Sequence, residues 1–145
     1  MASADATIDE RADEIINEFL FFDDWMGRYQ HLIELGDQIP LIDEELKNDD
    51  TRIRGCQSEV WVHTDVENGH VRYTGDSNAK ITKGIAALLI RLMDKQPPDE
   101  VAQADLGFLE EIGMDEHLSP TRQNGLHAMF KQMKVRALRG QPSSH

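Results

Sequence analysis

Thiols are nearly missing from this chain: Cys56 is the one cysteine in 145 residues. A lone cysteine cannot close an intramolecular disulfide or build a cysteine-only metal site. No apolar run approaches membrane-spanning length, so no transmembrane segment is expected. The start, Met-Ala-Ser-Ala-Asp, lacks a basic-then-apolar pattern, so no secretory signal is expected. An unpaired cysteine without an export signal points to a reducing, cytoplasmic location. Internal repeats and low-complexity linkers are also missing. Of the histidines (His31, His63, His70, His117, His127, His145), no two have metal-ligand spacing on one element, so no metal site is expected. Gly75-Asp76-Ser77-Asn78 is too short for a P-loop and lacks a Gly-Lys-Ser/Thr ending; a helix cap is the better reading. Ser58 and Ser119 lack a Gly-x-Ser-x-Gly setting, so a serine hydrolase is unsupported.

Basic residues are scarce in one half. The net charge is −12, from 27 acidic and 15 basic side chains. Residues 1–50 hold 15 acids and 3 bases, leaving 12 of each in residues 51–145, so the whole excess is N-terminal. Nucleic acid is a poor partner for such a surface, because phosphate binding needs a basic face. The acidic half suits either solubility or steering toward a basic protein partner. Residues 121–140 carry Arg122, Lys131, Lys134, Arg136 and Arg139 and no acid.

What is present reads as one domain over residues 1–145, long enough to bury a core without disulfides or metals. Residues 1–7 and 140–145 read as flexible ends. A first helix is predicted over Ile8 to Leu20, with Ala12, Ile15, Ile16 and Phe19 on one face. Asp23 or Asp24 caps a second, carrying Trp25, Tyr29, Leu32 and Ile33 inward and stopping near Gly36. Val60, Val62, Thr64 and Val66 alternate with Trp61, His63 and Asp65, the period of a strand. Asn68-Gly69 is a hairpin signal, because both residues accept positive φ. Val71 and Tyr73 continue a second strand, and Arg52 and Ile53 suit a short third. Ser77 or Asn78 caps a helix to about Asp94 that is apolar around most of its circumference, as a central buried helix is. Pro98 opens a short helix through Ala104, and residues 106–118 read as short turns. Ser119-Pro120 starts the last helix, with Leu126, Met129, Phe130 and Met133 inward and its basic residues outward. The expected fold class is α+β: a small antiparallel sheet of about three strands covered by helices.

Cys56 then lies between strands, in Arg52-Ile53-Arg54-Gly55-Cys56-Gln57-Ser58-Glu59-Val60-Trp61. Free cysteine commonly fills core volume as a small hydrophobe. Against that stand Gly55, suited to a sharp turn, and the polar Gln57 and Ser58. Arg52 and Arg54 favour a thiolate, and Glu59 opposes it. Local chemistry leaves both a reactive and a packed Cys56 open.

The run Gly-Cys-Gln-Ser-Glu-Val-Trp (55–61) resembles the SufE family. So do three further segments: Tyr29…Ile33-Glu34-Leu35-Gly36…Ile39-Pro40, Gly75-Asp76-Ser77-Asn78-Ala79 with Lys83-Gly84, and His117-Leu118-Ser119-Pro120-Thr121-Arg122…Gly125-Leu126. The likeness runs from about Phe19 to Leu138. It implies a protein without a cofactor, not a stand-alone enzyme, that accepts sulfur from a pyridoxal-phosphate cysteine desulfurase of the SufS or CsdA type. Cys56 would be the catalytic residue, taking the sulfur as a persulfide and passing it to a SufBCD-type iron–sulfur assembly scaffold. Arg52, Arg54 or Arg122 would support the thiolate. The resemblance also implies that the loop tucks its cysteine into an apolar hollow and swings out about Gly55, with Trp61 either lining that hollow or packing in the core. Glu59 stands where a glutamine is common in the family, and Asn78 where an aspartate is common. Two other readings stay open: a regulatory module that binds a desulfurase without carrying sulfur, and a peroxide-reactive thiol, weakened by the lack of a resolving cysteine.

Overall fold

The computed structural model describes residues 6–140. Of the ends expected to be flexible, residues 1–5 and 141–145 lie outside the described residues. Helix α1 spans Ile8–Leu20, as the apolar spacing predicts. Thr7 starts it with a reciprocal cap: its hydroxyl accepts from the Glu10 N–H at 3.1 Å, and the Glu10 carboxylate accepts from the Thr7 N–H at 2.9 Å. Helix α2 spans Trp25–Asp37 and is capped by Asp24, whose carboxylate accepts from the Gly27 N–H at 3.0 Å.

Strand β1 (Val60–Glu67) pairs antiparallel with β2 (His70–Ser77), from Val60 opposite Ser77 to Glu67 opposite His70. Asn68 and Gly69 have φ of 54° and 79°, the left-handed pair that matches a two-residue turn to the strand twist. The sheet has two strands, not three. The expected third is reduced to one bridge, Arg52 with Trp61, flanked by hydrogen bonds from Ile53 N–H to Val60 O and from Val62 N–H to Thr51 O. The ladder stops because both backbone groups of Arg54 bond to the Gln132 side chain instead.

Helix α3 (Lys80–Met93) buries ten of its residues, including Ile85, Leu88, Leu89 and Leu92, and is the hub of the molecule. The hairpin packs on one side of it and α2 on another. Each fully buried Leu or Ile contributes about 1.5–3 kcal/mol relative to exposure. Its cap differs from expectation: neither Ser77 nor Asn78 holds the cap position, which falls to Ala79. Ser77 Oγ instead accepts from the Ala79 N–H at 3.2 Å, and Asn78 reaches across to the cysteine loop. At the other end of α3, the buried Arg11 guanidinium donates to the carbonyls of Arg91, Leu92 and Asp94. It thereby serves the orphan acceptors of a helix terminus.

The contact of α2 with α3 is backbone-close. A Cβ on Gly84 would lie 2.3 Å from the Leu32 carbonyl oxygen, and one on Gly36 would lie 2.9 Å from the Gly84 nitrogen. Helix α2 ends at Asp37, one residue past Gly36, as expected, and Gly36 is also the crossing point with α3.

Three short helices follow: α4 (Pro98–Gln103), α5 (Phe108–Glu111) and α6 (Met114–His117). Helix α7 (Pro120–Arg139) closes the fold, with Ser119 accepting from the Arg122 N–H at 3.3 Å. Its apolar stripe is buried as expected. Not all of its bases face solvent, however. Lys134 donates to Ala104 O at 2.8 Å, and Arg136 is half-buried against the chain leading to Cys56. Tyr73 ties β2 to α7 by donating its buried hydroxyl to Met133 O at 2.9 Å. Among the described residues, no helix is long and apolar enough to cross a membrane.

Candidate functional site

The chain from Thr51 to Cys56 lies along one stripe of α7. Gly125, Met129, Gln132 and Arg136 recur at helical spacing, so they share a face. Arg136 donates to the carbonyls of Thr51 at 3.1 Å, Arg52 at 3.0 Å and Val62 at 2.8 Å. One turn earlier, Gln132 accepts from the Arg54 N–H at 3.1 Å and donates to the Arg54 carbonyl at 2.7 Å. Gly55 follows at φ 91°, where a Cβ would be strained and would stand 3.2 Å from Ala128 Cβ. Cys56 comes next and donates from Sγ to Gly125 O at 3.5 Å.

Glu59 holds the far end of the loop. Its N–H donates to Asn78 Oδ1 at 3.1 Å, and its carbonyl accepts from Ser77 Oγ at 2.7 Å and from the Asn78 N–H at 3.2 Å. Residues 55–58 therefore run between two fastened stems. The polar Gln57 and Ser58 cover this short span, which fits a segment that is not core packing.

Cys56 is half-buried and forms part of the wall between two hollows. The larger, about 380 Å³, is lined by Tyr29 and Ile33 of α2, Ile81 and Ile85 of α3, and Leu126 and Met129 of α7. Gly125 sets how deeply the thiol sits, since a Cβ there would stand 3.3 Å from Sγ. Arg122 also lines this hollow, donating to Tyr29 Oη at 3.1 Å. The smaller hollow, about 290 Å³, is lined by Asp49, Arg52, Ile53 and Arg54.

Burial pushes the Cys56 thiol up from its ordinary value, so the resting group is a neutral thiol. Activation by Arg52 and Arg54 is not what this arrangement delivers. Arg52 faces Glu59 at 3.7 Å, and Arg54 lies on the opposite flank of residue 56 from the larger hollow. Of the three arginines considered, Arg122 alone lines the hollow beside the thiol.

Trp61 does not line that hollow. It is half-buried on β1, with Lys47 Nζ 5.0 Å above its ring, while Val60 and Val62 on either side point into the core. The strand alternation that buries the two valines turns the indole the other way. The residues that sequence reasoning missed are Gln132 and Arg136. Both read as exposed positions of α7, and their partners lie 74 to 85 residues away.

A third hollow, about 410 Å³, opens among Arg11, Glu18, His31 and Arg91. Its charges face each other: Glu18 pairs with Arg91 and accepts from His31 at 2.9 Å. Among the described residues, no three His, Cys, Asp or Glu side chains converge as metal ligands would.

Fold and site together define a small α+β domain that presents one shielded thiol on a glycine-preceded loop. The chain belongs to the SufE family, whose sequence model, described as an Fe-S metabolism associated domain, matches residues 13–137. A SufE-like protein of Rhizobium etli is 38% identical over 130 residues, covering 86% of this chain and 88% of the relative. Another, from Synechocystis, is 33% identical over 138 residues, covering 95% of this chain and 87% of the relative. A solution structure of a hypothetical protein from Thermus thermophilus superposes with a TM-score of 0.75 at 25% identity, covering 90% of this chain and 95% of that one. Membership supports a role in iron–sulfur metabolism.

Proposed function

We propose that Cys56 accepts sulfur from a cysteine desulfurase of the SufS or CsdA type and hands it to a SufBCD-type iron–sulfur assembly scaffold. The observation that carries this reading is the seat of the single thiol. It lies half-buried beside a partly apolar hollow, on a short loop fastened at its two stems and touching α7 through the thiol itself.

The chemistry is an exchange without net redox change. Cys56 loses its proton to solvent, and the thiolate attacks the terminal sulfur of the desulfurase persulfide. A new S–S bond forms on Cys56, the desulfurase S–S bond breaks, and the desulfurase cysteine leaves as a thiolate. The hollow disfavours that thiolate, so the closed loop suits storage and an opened loop suits attack. Because Cys56 is the one cysteine of the chain, no internal thiol can expel the cargo. A reducing cytoplasm is the compartment that fits such a carrier.

The test is intact mass measurement followed by peptide mapping. The full chain is incubated with a SufS-type desulfurase and free cysteine in the absence of reductant. One added sulfur on the Cys56 peptide, removed by a thiol and lacking in Cys56→Ser, is the expected result. Stimulation of the desulfurase with no added sulfur would leave a regulatory module instead.

A further inference from the structure

The contacts that hold the cysteine loop are of unequal strength. On the stem, Thr51 and Ile53 pair with β1, and the half-buried Arg136 binds three carbonyls. Beyond the loop, Ser77 and Asn78 grip Glu59. Between them, the backbone of Arg54 is fastened by one amide, Gln132, through hydrogen bonds at 3.1 and 2.7 Å that are both exposed. Each is a neutral bond in competition with water, individually weak enough to break and reform. The next residue is Gly55 at φ 91°, free of a Cβ that would resist rotation, and the thiol follows it.

We propose that Gln132 is the latch of the acceptor loop: a positioning residue that holds the thiol against Gly125 and, when it lets go of Arg54, allows residues 54–58 to carry the thiol outward between the two fixed stems. The latch rests on the acceptor reading for its purpose but not for its geometry. Its register supports it. Arg136, Gln132, Ala128 and Gly125 meet residues 52, 54, 55 and 56 in order, so a slip at Gln132 acts directly on the residue that leads into Gly55. Arg136 has one exposed contact, to Arg52, beside two part-buried ones, whereas both Gln132 contacts are exposed and neutral and reach loop backbone, as an element that must open reversibly requires.

The variant Gln132→Ala tests this. Alanine is the better helix former, so α7 itself is not weakened. The full chain is alkylated at Cys56 with iodoacetamide over a pH series, without any desulfurase, and the urea midpoint of each variant is measured alongside. Loss of the two bonds is expected to raise the neutral-pH rate about tenfold. It should also lower the pH midpoint of the reaction toward that of an ordinary thiol. The urea midpoint should fall only by what two exposed bonds contribute to the closed native state, and Lys131→Ala, on the neighbouring exposed position, should behave as the parent does. Gln132→Glu keeps the acceptor and loses the donor, and should fall between parent and alanine variant.

An unchanged rate and pH midpoint in Gln132→Ala would overturn the latch. So would an alkylation rate that climbs with added urea as steeply as global unfolding does, since release of residues 54–58 alone exposes little surface. The two readings fail separately. Faster alkylation in Gln132→Ala, with no sulfur loaded on the parent Cys56, would keep the latch and remove the acceptor role. Sulfur loading with parent-like alkylation in Gln132→Ala would do the reverse.

Discussion

Replacing Gly84 with alanine should be among the most damaging single-methyl changes in this protein. Its Cβ would sit 2.3 Å from the carbonyl oxygen and 2.9 Å from the carbonyl carbon of Leu32. A carbon and an oxygen in comfortable contact stand about 3.3–3.6 Å apart, so α2 and α3 would have to separate by roughly 1 Å. The obstacle is backbone, which cannot rotate away as a side chain does. The helices carry fully buried residues, Leu32 on α2 and Leu88, Leu89 and Leu92 on α3, whose packing opens with them. Overpacking of this kind costs typically 1–3 kcal/mol, and a rigid obstacle belongs at or above the top of that range. Alanine returns about 1 kcal/mol of helix propensity. The net expectation is a loss of about 2 kcal/mol or more. Urea unfolding followed by circular dichroism measures it. Gly107→Ala is the comparison, because its Cβ would meet only the movable Asp105 carboxylate, at 3.1 Å. A Gly84→Ala protein as stable as the parent would refute the reasoning, and with it the claim that α2 and α3 touch through their backbones.

Three further outcomes are expected. Gly125→Ala places a Cβ 3.3 Å from the Cys56 sulfur and should push the thiol outward, raising its alkylation rate without lowering the urea midpoint, since the helix gains from alanine. Tyr73→Phe removes the hydroxyl that donates to Met133 O and should cost about 1–2 kcal/mol in urea unfolding; a difference near zero would mean that bond is not made in solution. The hydrogen bond from Arg91 holds the Glu18 carboxyl below its ordinary value of 4.5, so its stabilisation is complete above that pH and is lost as the pH falls through the lower, folded value. Glu18→Gln should therefore flatten the acid limb of a plot of urea midpoint against pH, and an unaltered limb would exclude the pairing as a source of acid sensitivity.

Much of the frame was legible because its signals are local. Four apolar residues at helical spacing, Ala12, Ile15, Ile16 and Phe19, marked the thirteen-residue α1, and Asn68-Gly69 at positive φ made the hairpin. The motif around Cys56 marked the loop before any coordinate did. What was not legible depended on distant partners. A third strand was expected from Arg52-Ile53, and the backbone of Arg54 found Gln132 instead, 78 residues away. Asn78 looked like a helix cap and is a clamp on Glu59. Trp61 was expected either to line the hollow or to pack in the core, and β alternation sends it toward Lys47 instead. Gly36 marked the end of α2 to within one residue, but its use for close approach to α3 had no local signal. The burial that raises the Cys56 thiol was equally hidden, since local sequence left a packed and a reactive cysteine both open.

The glycine crossing has a consequence for how the thiol can move. Tyr29 and Ile33 belong to α2, and Ile81 and Ile85 to α3, so two walls of the larger hollow come from the helices that meet at Gly36 and Gly84. Where the two backbones touch at the glycines there is nothing to flex, so those helices form a single stiff plate. The recess, about 380 Å³, is therefore held at a fixed size by the frame. A longer side chain on Cys56 has standing space to enter, so room at the thiol is set by the helix frame and access to it by the loop alone.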